Sequence, residues 1–502
     1  MASLMHTEFI SVFSTQNPTS MKKYITASFL IVICSLFTDC ARNPVTGKKQ
    51  VVLMSKEQEI AMGKEADPQI IAQFGLYEDT AIQNFISSKG KQMAAISHRP
   101  ELEHSFRVLN SEVINAFAVP GGYVYFTRGI LAHFNSEADF SGVLGHEIGH
   151  VAYRHSVAQQ RNAILAQLGI IAGIIINPEL ARFADMASTG LQLLMLKYSR
   201  DAEREADQLG VEYSSKIGYD AKQMALFFKT LERQSVGTES AELPEFLSTH
   251  PNPGDRYVTV NQLAEDWKKK LNLTNPIVNR NSYLRRIEGL VYGEDPREGY
   301  RENNIFYHPV LKFQFPIPAN WNYQNTPQMV QMAPKDGKAL MMLRLAQGNS
   351  LQEAANAITQ QYKLTTVESR NITVNGLPAI YLIADQQPEQ QGQPALRTMS
   401  YIIQYDGNIY HLIGVSTITE FNNYAASFSN TMQAFRILTD PVKLNKKPQR
   451  IRVRTVGSSI TLSQFLAQNN VAGARLEEHA ILNGLQLTDN LTQGTLIKII
   501  AE

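Results

Sequence analysis

The chain has 502 residues, too many for one ordinary core, and three or four domains are expected. With 44% hydrophobic and 19% charged residues it has a globular rather than a disordered composition, and its formal charge of +1 excludes the basic field a nucleic-acid binder needs. Its two cysteines, Cys34 and Cys40, stand near the N-terminus, so no disulfide framework holds the folded domains and any metal there rests on His and carboxylates.

The first element begins at Met21. Lys22 and Lys23 precede a nearly all-apolar run from Tyr24 to Phe37, about the length of a signal-peptide core and short for a bilayer span. Residues 1–40 therefore read as an N-terminal extension plus a signal peptide starting at Met21, and the protein is expected to be exported to the periplasm. Cys40 resembles the lipidated cysteine of bacterial lipoproteins, with Asp39 where a small residue is usual and Phe37 where Leu is usual. That resemblance implies a lipid anchor, and Ala41 rather than Asp after the cysteine points to the outer membrane.

Residues 55–100 read as polar-faced helices. The runs "VINAFAV" and "YVYFT", around Pro120-Gly121-Gly122, predict a hairpin. A helix starts near Ser136, with Asp139 three residues on in a variant capping box. The apolar run at 163–176 predicts a buried or partner-facing helix. "LQLLMLKYSRDAEREADQLGVEYSSKIG" predicts a further helix ending near Gly218. Helical text then continues to about 235, and "STHPNPGDR" reads as a loop.

From about residue 305 the pattern alternates like strands, and Asn375-Gly376 and Asp406-Gly407 are hairpin signals. Two helical stretches, "SLQEAANAITQQY" and "EFNNYAASFSNTMQAF", complete an α+β domain over 300–440 with no catalytic constellation. Residues 440–450 read as a linker, and 447–502 as strand, helix, helix, strand. "ILNGL" and "LTQGTLIKI" resemble the LysM fold, which implies binding of glycans such as peptidoglycan. The usual Gly-Asp-Thr entry is missing, with Gly457-Ser458-Ser459 nearby.

The chemistry concentrates in "LGHEIGHVAYRH". Residues four apart on a helix are turned by about 400°, so His146 and His150 project from one face. Glu147 sits beside His146, where it can approach a water without being a ligand. Gly145 and Gly149 each weaken a helix by about 1 kcal/mol relative to Ala, which makes sense where a backbone or substrate comes close. A catalytic zinc needs a third protein ligand and an open fourth position. The metzincin pattern would place Gly at Tyr153 and His at Ser156, and His155 falls one residue short of it. The acidic run "YSRDAEREAD" offers Glu203 and Asp207, four apart on one face, one to bind metal and the other to orient a ligating histidine.

Together, "NPVTGKKQ", "NAFAVPGG", "LGHEIGHVAYRHS", "SRDAEREAD" and "THPNPGDR" resemble the zinc metallopeptidase family of the CAAX prenyl protease, HtpX and the OMA-type mitochondrial proteases, on its exported BepA-like branch. The resemblance covers about Asn43 to Arg256. The helical TPR repeats that BepA-like proteins carry C-terminal to it are not seen here. It implies one zinc ion per chain, held by His146, His150 and Glu203, with Glu147 as base and Asp207 behind a ligand. It places His250 and Arg256 at active-site positions near the zinc and the oxyanion. The strand bearing Asn115, Ala116 and Phe117 would hold an extended substrate by β-augmentation.

The expected architecture is thus a mainly α, zincin-like (gluzincin) metallopeptidase domain with a small β-sheet over 41–295, then the α+β domain and the small LysM-like βααβ domain. The expected activity is hydrolysis of peptide bonds in unfolded or misassembled envelope proteins. A non-catalytic periplasmic chaperone or scaffold with a structural, four-ligand zinc is the competing expectation. Processing of CAAX proteins within the membrane fails for lack of long spans.

Overall fold

In the computed structural model, residues 40–51, 54–157, 170–171, 174–175, 180, 198–235, 245–250, 253–388 and 393–502 are described. The expected signal peptide lies outside them. Strands β1 (Cys40–Arg42) and β2 (Lys49–Val51) pair antiparallel. Helix α1 (Lys56–Phe74) opens on a capping box between Ser55 and Gln58, and α2 (Thr80–Ala94) on an Asp79 cap, as the helical reading of this segment expects.

The predicted hairpin forms as β4 (Ala116–Val119) and β5 (Tyr123–Thr127), turning on Gly121 and Gly122 at φ of 84° and 94°. A strand not anticipated, β3 (Ser105–Leu109), runs parallel to β5 on its other side, leaving β4 at the edge of a three-stranded sheet. The short helix α3 (Arg128–His133) follows. Helix α4 (Glu137–Tyr153) then starts where expected: Ser136 Oγ accepts from the Asp139 N–H at 3.0 Å and donates to Asp139 Oδ1 at 2.8 Å. All 17 of its residues are buried, and Arg154 ends it in the left-handed region at φ 62°.

Of the apolar run at 163–176, the described residues are not helical: β6 (Ile170–Ile171) pairs antiparallel with β7 (Ile174–Ile175). β-Branched isoleucines fit a pleated pair better than a helix. Of the next predicted helix, residues 191–197 lie outside the described residues and Tyr198 and Ser199 are not helical. α5 spans Arg200–Lys216, because Ser199 caps it by accepting from the Ala202 N–H, and Tyr198 stands outside. α4 and α5 cross at backbone contact: a Cβ on Gly145 would lie 2.9 Å from the Gly210 carbonyl oxygen, and one on Gly149 3.1 Å from Ala206 Cα. Gly145 and Gly149 of α4 therefore make room for a neighbouring backbone.

α6 (Lys222–Ser235) packs beside them. The stretch "STHPNPGDR" is less of a loop than its Pro and Gly suggest. α7 (Glu245–Thr249) runs up to His250, and α8 (Pro253–Lys270) starts on a proline, whose missing N–H costs nothing at a first turn. α9 (Arg280–Arg286) closes this unit.

The second unit is sheet-rich. β8 (Tyr300–Glu302), β9 (Ile305–His308) and β10 (Phe313–Pro316) form one small antiparallel sheet. β11 (Trp321–Asn325), β12 (Met329–Pro334), β13 (Ala339–Leu345), α10 (Leu351–Gln361), β14 (Thr365–Val374), β15 (Leu377–Gln386), β16 (Leu396–Tyr405), β17 (Asn408–Thr417) and α11 (Phe421–Gln433) follow. The large sheet is antiparallel throughout, in the order β11-β12-β13-β17-β16-β15-β14. Both expected hairpins form: Asn375-Gly376 and Asp406-Gly407 all have positive φ, as type I′ turns require. Alternation along the strands feeds two cores. Ile413 shares one core with Ile358 of α10, and Leu412 shares the other with Phe428 of α11. β18 (Arg436–Ile437) joins the small sheet.

After a single short helix, α12 (Pro441–Leu444), the C-terminal unit holds β19 (Arg450–Thr455), β20 (Ile460–Thr461), α13 (Leu462–Gln468), α14 (Leu476–Leu482), β21 (Asn490–Leu491) and β22 (Leu496–Ala501). The strand-helix-helix-strand frame is present as β19 and β22 with two helices between. A second short pair, β20–β21, adds to it. The unit has its own small core, yet Ile451, Leu482, Leu496 and Ile500 belong to the core of the first unit. Lys498 is fully buried, with Nζ donating to the carbonyls of Ala132 at 2.7 Å and Phe134 at 2.9 Å. Among the described residues no helix is long and apolar enough to cross a membrane.

Candidate metal centre

One turn of α4 brings the Nε2 atoms of His146 and His150 to 3.0 Å from each other. The contact between α4 and α5 sets the first turn of α5 opposite them. Glu203 there lies 3.6 Å from His146 Nε2 through one oxygen and 3.5 Å from His150 Nε2 through the other. α7 delivers His250, whose Nδ1 is 3.3 Å from His146 Nε2 and 2.9 Å from Glu203 Oε1. One ligand atom from each of the four residues lies within 4.8 Å of every other, and all four residues are buried.

These spacings suit a zinc ion. Four ligands at about 2.0–2.1 Å around a tetrahedral centre stand about 3.3–3.4 Å apart. The orphaned atoms point the same way: both oxygens of Glu147 and Nε2 of His250 are buried without a hydrogen-bond partner. Glu147 approaches His250 Nε2 at 3.8 Å but is not one of the four. Burial pushes its carboxyl up, only partly offset by His250 and His146. Burial would raise Glu203 too, but His250 and Arg256 beside it outweigh that and hold it well below the usual carboxylate range.

A second layer fixes the first. Asp207, one turn beyond Glu203, takes His146 Nδ1 at 2.9 Å. Arg256 grips Asp207 with two hydrogen bonds, Nε at 2.8 Å and Nη2 at 2.7 Å, and its Nη1 pairs with Glu203 at 3.0 Å. The guanidinium is thus occupied by two carboxylates. Where the run "YSRDAEREAD" left two carboxylates interchangeable, the structure separates them: Glu203 faces the imidazole Nε2 atoms and Asp207 lies behind His146.

Sequence reasoning missed three neighbours. His155 Nδ1 contacts His150 Nδ1 at 2.9 Å, and its Nε2 reaches Glu205 at 3.0 Å. Tyr198 stacks on the His150 ring at 3.9 Å between centroids. Phe246 stacks on His250 at 4.5 Å. The phrase "YRHS" carried His155 in plain view. No local pattern marks Tyr198 or Phe246.

The strand bearing Asn115, Ala116 and Phe117 does lie at a sheet edge, but the chain itself occupies part of that edge. Ala118 O accepts from Ser156 Oγ at 3.2 Å and from Tyr198 OH at 3.4 Å, and Ile114 O accepts from the Phe246 N–H at 3.1 Å. Asn115 is buried and its Oδ1 has no partner.

Residues 81–264 match the model of peptidase family M48. The matched segment includes α4, α5, His250 and the start of α8, so all seven polar residues of the centre (His146, Glu147, His150, Glu203, Asp207, His250 and Arg256) fall within it. A beta-barrel assembly-enhancing protease of Yersinia pestis is 30% identical over 264 residues, covering 50% of this chain and 52% of that one. The protein of that name in Escherichia coli (strain K12) is 27% identical over 277 residues, covering 52% and 55%. The mitochondrial metalloendopeptidase OMA1 of Arabidopsis thaliana is 31% identical over 202 residues, covering 39% and 40%. The chain spans about half the length of the curated relatives it matches. These matches agree with the resemblance drawn from the motifs.

Proposed function

We propose that the protein is a zinc-dependent endopeptidase of the bacterial cell envelope that hydrolyses misfolded or misassembled envelope proteins. The observation that carries this reading is the convergence of His146, His150, Glu203 and His250 beside an unpartnered, buried Glu147. When bound, a zinc ion supplies Lewis acidity at the scissile carbonyl and lowers the pKa of water at the site. His146, His150 and Glu203 would hold it, and Asp207 keeps the His146 ring in the orientation that frees Nε2. Glu147, its pKa raised by burial, takes the water proton and delivers it to the leaving amine. His250 would serve as oxyanion donor, and Arg256 acts by holding Glu203 and Asp207. The edge of β4 at Asn115, Ala116 and Phe117 receives an extended substrate after Tyr198, Ser156 and Phe246 release it.

The envelope setting rests on the names of the relatives, the apolar run after Met21 and the lipoprotein-like Cys40. An outer-membrane anchor at Cys40 and peptidoglycan binding by the LysM-like residues 447–502 belong to the same proposal. Casein degradation that is abolished by chelator, restored by zinc and lost in Glu147→Gln with zinc retained is the expected result. Full activity in Glu147→Gln refutes the role given to it. A structural zinc in a non-catalytic scaffold is favoured by one observation, the fourth ligand His250. His250→Ala separates the two: a peptidase retains zinc on three ligands, whereas a closed structural site loses it.

A further inference from the structure

His146 and His150 are each backed through Nδ1, but by different groups. Behind His146 stands Asp207, gripped in turn by Arg256. Behind His150 stands a second histidine. His150 Nδ1 lies 2.9 Å from His155 Nδ1, and His155 Nε2 lies 3.0 Å from Glu205 Oε2. Neither His155 nor Glu205 is among the four residues that could hold a metal, and the proposed hydrolysis gives neither a part.

The contact between the two histidines depends on a break in the helix. On an unbroken helix, residues five apart are turned by about 500°, so His155 would point about 140° away from His150. Arg154 prevents this by ending α4 at φ 62°. That conformation is uncommon for a residue other than glycine, and buried groups hold it in place. Arg154 donates from Nε to Glu59 Oε2 and from Nη2 to the Met54 carbonyl, both at 2.9 Å. Arg99 donates to Glu59 at 2.6 Å and to the Val151 carbonyl, in the last turn of α4, at 3.1 Å. The His155 ring is buried and lies nearly parallel to that of Tyr153, with centroids 5.2 Å apart.

The series of partners decides where the hydrogens stand. A carboxylate only accepts, so His155 Nε2 donates to Glu205. At the other contact two ring nitrogens face each other, and one of them must accept. If His150 Nδ1 accepted, the hydrogen of its neutral ring would sit on Nε2. That atom lies 3.0 Å from His146 Nε2 and 3.5 Å from Glu203, among the metal-facing atoms, where a hydrogen excludes a metal. A metal-binding His150 therefore donates from Nδ1 to His155 and keeps a bare lone pair on Nε2.

We propose that His155 and Glu205 are positioning residues of the metal centre, acting through His150 by holding it in the tautomer and orientation that turn Nε2 to a zinc ion. The inference rests on the zinc reading of the centre and can fail while that reading stands.

The test is the zinc affinity of the full chain, measured by competition with a chromophoric chelator, with circular dichroism to check the fold of each variant. The wild type should bind zinc. His155→Phe keeps a flat ring beside Tyr153 but offers no acceptor, and should weaken zinc about 10–100-fold. His155→Leu replaces it should the Phe variant not fold. His155→Gln brings an amide oxygen for His150 and an amide N–H for Glu205, and should recover most of the loss. The Glu205 side chain is 43% exposed, so Glu205→Ala leaves the core intact. It should weaken zinc about threefold to tenfold in the wild type and cause no further loss in the His155→Phe background. A folded His155→Phe protein with wild-type zinc affinity overturns the inference and leaves the centre standing. So does equal weakening by His155→Phe and His155→Gln, which would make packing rather than the acceptor responsible. A Glu205→Ala loss that persists undiminished beside His155→Phe overturns it too, because Glu205 would then act without His155. A wild type that takes up no zinc overturns the centre and this inference together.

Discussion

Asp207→Asn is the most informative single change at the metal centre. Asp207 holds His146 Nδ1 with one oxygen and Arg256 with both, at 2.7–2.9 Å, in full burial. Asparagine keeps the shape but removes the charge and turns one acceptor into a donor. Whichever way the amide lies, either His146 or one Arg256 nitrogen meets a donor. Removing one partner of a buried ion pair costs about 3–5 kcal/mol. Arg256 keeps Glu203 at 3.0 Å, which places the loss at the lower end, about 3 kcal/mol. Loss of the carboxylate behind a metal-binding histidine lowers metal affinity about 10–100-fold, or about 1.4–2.7 kcal/mol. Denaturant unfolding of the chelated protein measures the first quantity, and competition for zinc with a chromophoric chelator measures the second. Unchanged zinc affinity in a folded Asp207→Asn protein would show that His146 is not oriented through Asp207, and the two-layer account of the centre would fall.

Gly145→Ala gains about 1 kcal/mol of helix propensity but sets a methyl 2.9 Å from the Gly210 carbonyl oxygen. Overpacking costs about 1–3 kcal/mol, so thermal unfolding should show a net loss of up to about 2 kcal/mol, with weaker zinc binding as α5 carries Glu203 away. A Gly145→Ala protein of unchanged stability and zinc affinity would mean that the helices are not in backbone contact. In the chelated protein, burial would raise Asp207, but Arg256 and His146 outweigh it and hold its carboxyl below the ordinary 3.8. The unfolded chain then binds the extra proton first, so the stabilisation is complete above pH 3.8 and is lost as pH falls through the lower folded value. An acid titration of stability should show this loss in the wild type and lack that component in Asp207→Asn.

What could be read from the sequence was local. His146, Glu147 and His150 follow from helical periodicity within five residues, and Ser136 and Asp139 mark the start of their helix by capping chemistry. Asn375-Gly376 and Asp406-Gly407 announce their hairpins because both turn positions need positive φ. Glu203 and Asp207 were legible as a pair but not as individuals, since only the packing of α5 on α4 decides which carboxylate faces Nε2. Tyr198 and Phe246 gave no sign, because each acts through a neighbour distant in the chain. In the helix expected over 191–218 the apolar pattern hid the Ser199 cap, which starts a helix at Arg200. The strand β3 was overlooked because "FRVL" is short and gains its place only by lying parallel to β5. Nothing around Lys498 distinguishes it from a surface lysine of an edge strand, yet it is buried.

That lysine ties the end of the chain to a segment made long before it. The carbonyls of Ala132 and Phe134, just ahead of α4, receive their partner from a residue 366 and 364 positions later. At about 5–20 residues per second, a ribosome that has finished α4 runs for roughly 20–70 s before Lys498 exists. Throughout that interval the carbonyls of Ala132 and Phe134 lack the buried ammonium that meets them in the folded protein, so this corner of the first unit is completed last.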